Sequence, residues 1–190
     1  MVMSPAVAII LGTSASGKTT LARRLAADLR LPCLCKDDVK EALFEVQGVA
    51  DREWSREQSR ASFAVLIKLA QTQLRAGLDC ILEGNWRSLH GASLAALLEE
   101  TQARAAQIGC VAEPREILRR FAARERHRGH LDDVLRGEIA GQAALPPAFI
   151  DLPGPRWLYQ SDDPEAYPEL IGRLKPWLQS AQAGPQVRDP

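Results

Sequence analysis

Neither sign of charge dominates this chain: 24 lysines and arginines balance 24 aspartates and glutamates over 190 residues. No global field therefore draws it to a polynucleotide or an anionic membrane, although a local basic face would be hidden in that total. Nothing approaches the ~18 uninterrupted apolar residues of a membrane helix. Residues 1–11 are apolar but carry no basic start and no cleavage site. They are expected to form a buried strand and not a signal peptide. The four cysteines (Cys33, Cys35, Cys80 and Cys110) form no C-x-x-C pair, so buried thiols in a reducing cytoplasm are expected ahead of zinc or disulfides. There is no internal repeat and no linker long enough to divide domains. The expected organisation is one domain over residues 1–180 and a frayed tail over 181–190.

What is present alternates between two periodicities. Val7-Ala8-Ile9-Ile10-Leu11 is a continuous apolar run of strand length, suited to a central parallel strand covered on both faces. Leu21, Leu25 and Leu29 then recur every four residues, one face of a helix that stops before Pro32. Cys33-Leu34-Cys35 is a short second strand ending at Lys36-Asp37-Asp38. Residues 55–76 predict a helix with Phe63, Leu66, Ile67, Ala70 and Leu74 on one stripe and Gly77 as its stop. Cys80-Ile81-Leu82 is the third strand, running into Glu83-Gly84-Asn85. Residues 88–101 are helical, 105–112 form a fourth strand, and Pro114 opens a helix to about 126. A further helix is expected over 132–143, a fifth strand over 157–160 and a closing helix over 164–178. This alternation predicts a three-layer, doubly wound parallel α/β sheet of about five strands. Ligands of such sheets bind beyond the carboxyl ends of the strands, where residues 13–19, Asp37, Glu83, Asn85 and Glu113 all fall.

Gly12-Thr13-Ser14-Ala15-Ser16-Gly17-Lys18-Thr19 has the form G-x-x-x-x-G-K-T and is followed by Thr20. In such a phosphate loop the backbone N–H groups turn inward around a phosphate, and the helix N-terminus adds positive potential. Lys18 is expected on the β- and γ-phosphates and the Thr19 hydroxyl on Mg2+. The alternative, an ordinary glycine turn, does not account for the preceding apolar strand and the following helix.

No Asn-Lys-x-Asp segment is present for guanine selectivity, and the strand end at Glu83 lacks the Asp-Glu pair of large ATPase machines. A small kinase fits better. Kinases need a carboxylate on the acceptor hydroxyl and cations on the transferring phosphoryl group. Asp37 is the candidate base, with Asp38 read as a helix N-cap. Residues 115–128 hold six arginines against two acids. At about 100° per residue, Arg120 and Arg124 share a face with Ile117 and Phe121, whereas Arg115, Arg119 and Arg126 point away. Arginines flanking an apolar stripe need a partner. A triphosphate is one, making this an arginine-rich lid helix; salt bridges to Glu116 or Asp132 are the alternative.

The phosphate loop, Lys36 to Glu41, Glu83-Gly84-Asn85, Arg126-His127-Arg128-Gly129-His130 and Gln160 to Pro164 together resemble the small P-loop kinases. That family includes chloramphenicol phosphotransferase, zeta-toxin-like kinases and the kinase domain of phage polynucleotide kinase. The resemblance implies Asp37 as the catalytic carboxylate, Lys40 as a substrate contact and Arg120 with Arg124 as lid cations. It also suits Glu83 for the Mg2+ shell or for substrate, and adenine against residues 161–164. Asn85, Trp86 and Arg87 follow at the mouth, where they would shape the acceptor pocket; a lone Trp there could equally be core. His127 and His130 have little carboxylate or thiol support nearby and are read as structural before metal-binding. The leading expectation is an ATP- and Mg2+-dependent phosphotransferase acting on a small-molecule or nucleotide hydroxyl, with no membrane role. Two alternatives stay open: a nucleic-acid 5′-hydroxyl kinase, and a non-catalytic ATP-binding regulator.

Overall fold

A computed structural model describes residues 4–124, 127–130, 137, 139 and 141–180. The central run forms β1 (Ala6–Gly12), six of whose seven residues are buried. Such a strand has to be covered on both faces, and it is. Val7, Ile9 and Leu11 pack on one side with Leu66, Ala70, Leu74, Leu94 and Leu97. Ala6, Ala8 and Ile10 pack on the other with Leu21, Leu25, Leu170 and Leu174.

The chain continues through α1 (Lys18–Leu29), β2 (Cys33–Cys35), α2 (Lys36–Gln47) and α3 (Arg52–Arg75). Then come β3 (Cys80–Glu83), a 3-10 turn over Ser88–His90, α4 (Gly91–Thr101), β4 (Arg104–Val111) and α5 (Pro114–Ala123). The last elements are β5 (Arg156–Gln160) and α6 (Ala166–Gln179). All neighbouring strands are parallel, in the order β2-β3-β1-β4-β5. Helices α3 and α4 cover one face, α1 and α6 the other, the expected three-layer architecture.

The chain leaves β1 toward β3 and β2 on one side and toward β4 and β5 on the other. The order therefore reverses at β1, the point where such sheets open a ligand crevice. Register brings the strand ends level: Ile10 faces Glu83, Cys35 faces Glu83 and Gly12 faces Cys110.

Three boundaries depart from expectation for local reasons. Asp38 is not an N-cap: α2 starts at Lys36, its cap position is Cys35, and Asp37 and Asp38 both sit in the first turn. Their charge favours that end of the helix dipole without capping it. Helix α3 begins earlier than residue 55 because Asp51 caps it, accepting from the Trp54 N–H at 2.9 Å. Helix α5 ends at Ala123, leaving Arg124 extended at φ −79°, ψ 138°. Of the helix expected over 132–143, residues 137, 139, 141 and 142 are helical. The rest of it through 140, Arg126 and the tail at 181–190 lie outside the described residues. All four cysteines are free thiols, three of them buried.

Candidate active site

The phosphate loop joins β1 to α1 and has the backbone such a cradle needs. Gly12 has φ 148° and Gly17 φ 93°, both in the region that favours glycine. A Cβ on Gly12 would lie 2.6 Å from the Cys110 carbonyl oxygen, and one on Gly17 would lie 2.7 Å from Ser161 Cβ. Helix α1 has no acidic residue in its first turn and no side-chain cap, so its first N–H groups suit an anionic ligand. Lys18 is buried and folds back over the loop, its Nζ donating to the Thr13 carbonyl at 2.8 Å. Ser16 Oγ is fully buried with no hydrogen-bond partner among the described residues, an orphaned donor inside the cradle that suits a phosphate oxygen.

Glu83 ends β3 beside this loop, 3% exposed. Burial pushes its carboxyl up from the ordinary range; Lys18 opposes that, Asp37 adds to it, and a hydrogen bond with the Thr19 hydroxyl opposes it further. A hydroxyl and a buried carboxylate in contact are a donor pair of the hard, oxygen-rich kind that suits Mg2+ held partly through water.

Two cavities open from this loop. One of about 680 Å3 is lined by Ser14, Ala15, Gly17, Lys18, Thr19 and Thr20 together with Asp37, Asp38, Arg120, Arg124, Tyr159 and Ser161. The other, about 440 Å3, is lined by Ser14, Lys18, Asp37, Glu83, Asn85 and Arg87, by Lys36 and Lys40 of α2, and by Arg52, Arg56 and Arg60 of α3. They share Ser14, Lys18 and Asp37. Asp37 accepts from Lys36 Nζ at 2.9 Å, and Lys36 is itself buried. Asp38 turns outward to Arg23 at 3.0 Å.

Arg120 lies across the loop end: its Nη1 donates to Ser161 Oγ at 2.7 Å and its Nε to Glu116 at 2.7 Å. The expected salt bridge and the expected lid position are thus one arrangement. Hydrogen bonds from Arg119 and Arg120 draw the Glu116 carboxyl down to about 2. Arg124 reaches the same cavity from beyond the helix end, its guanidinium 4.3 Å over the Phe121 ring. Arg120 and Arg124 are therefore brought to one cavity, although the two do not share a helical face as the sequence suggests. Asp162 accepts from the Glu113 N–H at 2.8 Å, tying the loop after β5 to the start of α5.

Lys40 is buried and donates to Ser55 Oγ at 2.9 Å, which donates in turn to the Gly129 carbonyl at 3.0 Å. Asn85 and Arg87 are exposed at the mouth of the second cavity. Trp86 is core: it is 3% exposed and its ring lies 4.7 Å from Phe63. His130 bonds Glu41 at 2.7 Å, a carboxylate neighbour the sequence did not place there, and His127 stacks on Phe44 at 5.2 Å. The sequence reading missed Lys36, Arg52, Arg56 and Arg60. The signal available was an arginine every fourth residue on α3, continuing the face of its apolar stripe toward the helix N-terminus.

The AAA domain family model matches residues 7–145, a span that includes the phosphate loop, Asp37, Glu83, Arg120 and Arg124. The chain belongs to this family. No curated protein gives a significant match. Among solved structures, a presumed kinase from Chloroflexus aurantiacus is 30% identical, with a TM-score of 0.82 over 96% of this chain and 100% of that one. The APS kinase of Mycobacterium tuberculosis, solved with AMPPNP and APS, is 17% identical, with a TM-score of 0.58 over 94% and 99%. A sugar kinase from Janibacter is 19% identical, with a TM-score of 0.56 over 92% and 95%. The last two share the fold, and this AAA-family chain has the P-loop kinase architecture. Among the described residues, no helix is long and apolar enough to cross a membrane.

Proposed function

We propose that this chain is a kinase that moves the γ-phosphate of ATP, with Mg2+, to a hydroxyl of a small molecule or nucleotide. One observation carries the reading: two cavities on either side of Lys18 meet at Ser14, Lys18 and Asp37. A nucleotide switch needs the first cavity only. The second, a concavity with several charged side chains in its lining, gives Asp37 something to act on, which weighs against the regulator. The names of the kinase-class relatives and the narrower likeness to small hydroxyl-phosphorylating kinases suit the same reading. Free thiols suit a cytoplasmic setting.

In this reading residues 12–19 bind the β- and γ-phosphates through backbone N–H groups and Lys18. Mg2+, when bound, would be held by the Thr19 hydroxyl with Glu83 behind it and would neutralise phosphate charge. Arg120 and Arg124 face the transferring group, while Lys40, Asn85 and Arg87 line the acceptor side. The acceptor oxygen forms a bond to γ-phosphorus as the bond to the β,γ-bridging oxygen breaks. Asp37 takes the hydroxyl proton. Adenine would lie toward residues 161–164.

The test is phosphate transfer from ATP across a panel of hydroxyl compounds, by wild type and Asp37→Asn. The variant should retain ATP affinity and lose about 10²–10⁴-fold in turnover, the usual worth of general-base assistance. Unchanged turnover with an identified acceptor would reject Asp37 as the base. Loss of ATP binding would reassign it to the metal shell.

A further inference from the structure

The chain as a whole is neutral, but the second cavity is not. Among the described residues its lining holds seven lysines and arginines against two carboxylates, Asp37 and Glu83. Lys18 belongs to the phosphate loop. The other six come from three segments: Lys36 and Lys40 of α2, Arg52, Arg56 and Arg60 of α3, and Arg87 after β3. Lys36 and Lys40 are buried, 6% exposed each, Lys36 held by Asp37 and Lys40 by Ser55 at 2.9 Å each. Spaced four apart, the arginines run about 12 Å along one face of α3. An arginine row on a convex surface needs no ligand. This row lines a concavity that also holds buried lysines and reaches Lys18 and Asp37.

We propose that the acceptor already carries an anionic group, a phosphate or a carboxylate. Its hydroxyl would lie against Asp37 and its anionic end against Arg56 and Arg60. The inference rests on the kinase reading above. The carboxylates beside Arg56 and Arg60 do not cancel them. Glu53 lies 3.5 Å from Arg56 and 3.4 Å from Arg60, and Glu57 lies 3.8 Å from Arg60. These side chains are 58–67% exposed, and exposed pairs hold weakly. A phosphate or carboxylate bound in the cavity competes with them through bidentate, charge-assisted bonds. A neutral acceptor would offer Arg56 and Arg60 no such bonds, so the same two residues discriminate against it.

A polynucleotide is also anionic, but these cations are gathered in one cavity of about 440 Å3, within the size range of small-molecule sites. A small acceptor is therefore the better fit.

The experiment uses the full chain with its nucleotide side saturated by AMPPNP and Mg2+, whose binding is measured first by titration calorimetry. Matched probes are then titrated: glucose, gluconate and glucose 6-phosphate; glycerol, glycerate and glycerol 3-phosphate; and inorganic phosphate. Wild type should bind anionic probes at least ~10-fold more tightly than their neutral counterparts. Arg56→Ala/Arg60→Ala should remove most of that preference while keeping AMPPNP affinity. Arg75→Ala, on α3 but outside the cavity, should keep both. Preference for phosphorylated over carboxylated probes identifies phosphate as the anion, and the reverse identifies carboxylate. Where the double variant melts early, Arg60→Gln alone reads the same loss.

Equal affinity for charged and neutral probes, or no binding of any, overturns the proposal and leaves the kinase reading standing as long as AMPPNP binds. Failure to bind AMPPNP overturns the kinase reading itself. Tighter binding of single-stranded octathymidylate with a 5′-hydroxyl than of every small probe overturns it in favour of a nucleic-acid acceptor.

Discussion

At the scale of single residues, Glu83 is where charge and burial conflict most. It lies beside Lys18 and Lys36 and bonds the Thr19 hydroxyl, yet burial with Asp37 nearby outweighs them and its carboxyl is pushed up. A carboxyl whose value is raised by folding binds its proton more tightly in the native state. Its contribution to stability is fully present below the ordinary carboxylate range and is lost as pH rises through the folded value. The nucleotide-free protein should therefore lose stability over that window. Glu83→Gln should flatten this loss and raise Tm at neutral pH, while costing about 10–100-fold in Mg2+ affinity or transfer, as loss of an outer-shell partner does. Thermal melts between pH 4 and 8, paired with a transfer assay, check both halves. A lower Tm at neutral pH with an unchanged slope would mean that Glu83 is worth more as a partner to Lys18 than it costs to bury. Glu83 was readable as a strand end beside the loop, because the strand pattern stops there. Its burial was not readable, because burial depends on which strands flank it.

At the scale of elements, α5 shows what periodicity can and cannot deliver. The stripe of Ile117 and Phe121 is buried as its spacing implies, and Arg120 beside it reaches Ser161 over the loop end. The helix stops at Ala123, so Arg124 arrives by an extended backbone that a helical wheel does not describe. Helix α3 gives the converse lesson. Its apolar stripe was visible, but the arginines that continue that face toward the N-terminus had no evident role until α2 and β3 closed a cavity beside them. Asp51 was a cap signal in plain view, one residue before the helix. For the lid, Arg120→Ala should lower kcat by about 10²-fold or more, as loss of a transition-state donor does. It should raise KM for ATP much less. Arg119 is 68% exposed and paired with Glu116, and Arg119→Ala should change neither constant more than about twofold. Steady-state kinetics with a transferred acceptor separate the cases. Equal, small effects from both substitutions would make α5 an ordinary solvated helix.

At the scale of the whole molecule, the class of fold was legible because alternating strands and helices admit few other solutions. The strand order was not, since nothing local tells β3 to lie between β2 and β1. That order sets Glu83 level with Ile10 and Cys35, and so joins residues far apart in sequence into one ligand edge. A consequence can be measured without knowing the acceptor. The phosphate loop leaves the central strand and opens α1, so nucleotide bound there is coupled to the core of the entire domain. Ligand that binds only the folded chain, at about 100 times its Kd, adds ~2.7 kcal/mol. For a domain of this size that corresponds to a rise in Tm of about 5–11 °C. AMPPNP with Mg2+ should give this shift as one cooperative transition, and Lys18→Ala should abolish most of it, since the lysine supplies the cation for the β/γ oxygens. An early transition that ignores nucleotide would mean that part of the sheet melts independently of the loop. A full shift in Lys18→Ala would mean that the nucleotide sits elsewhere, and the active-site assignment would fall with it.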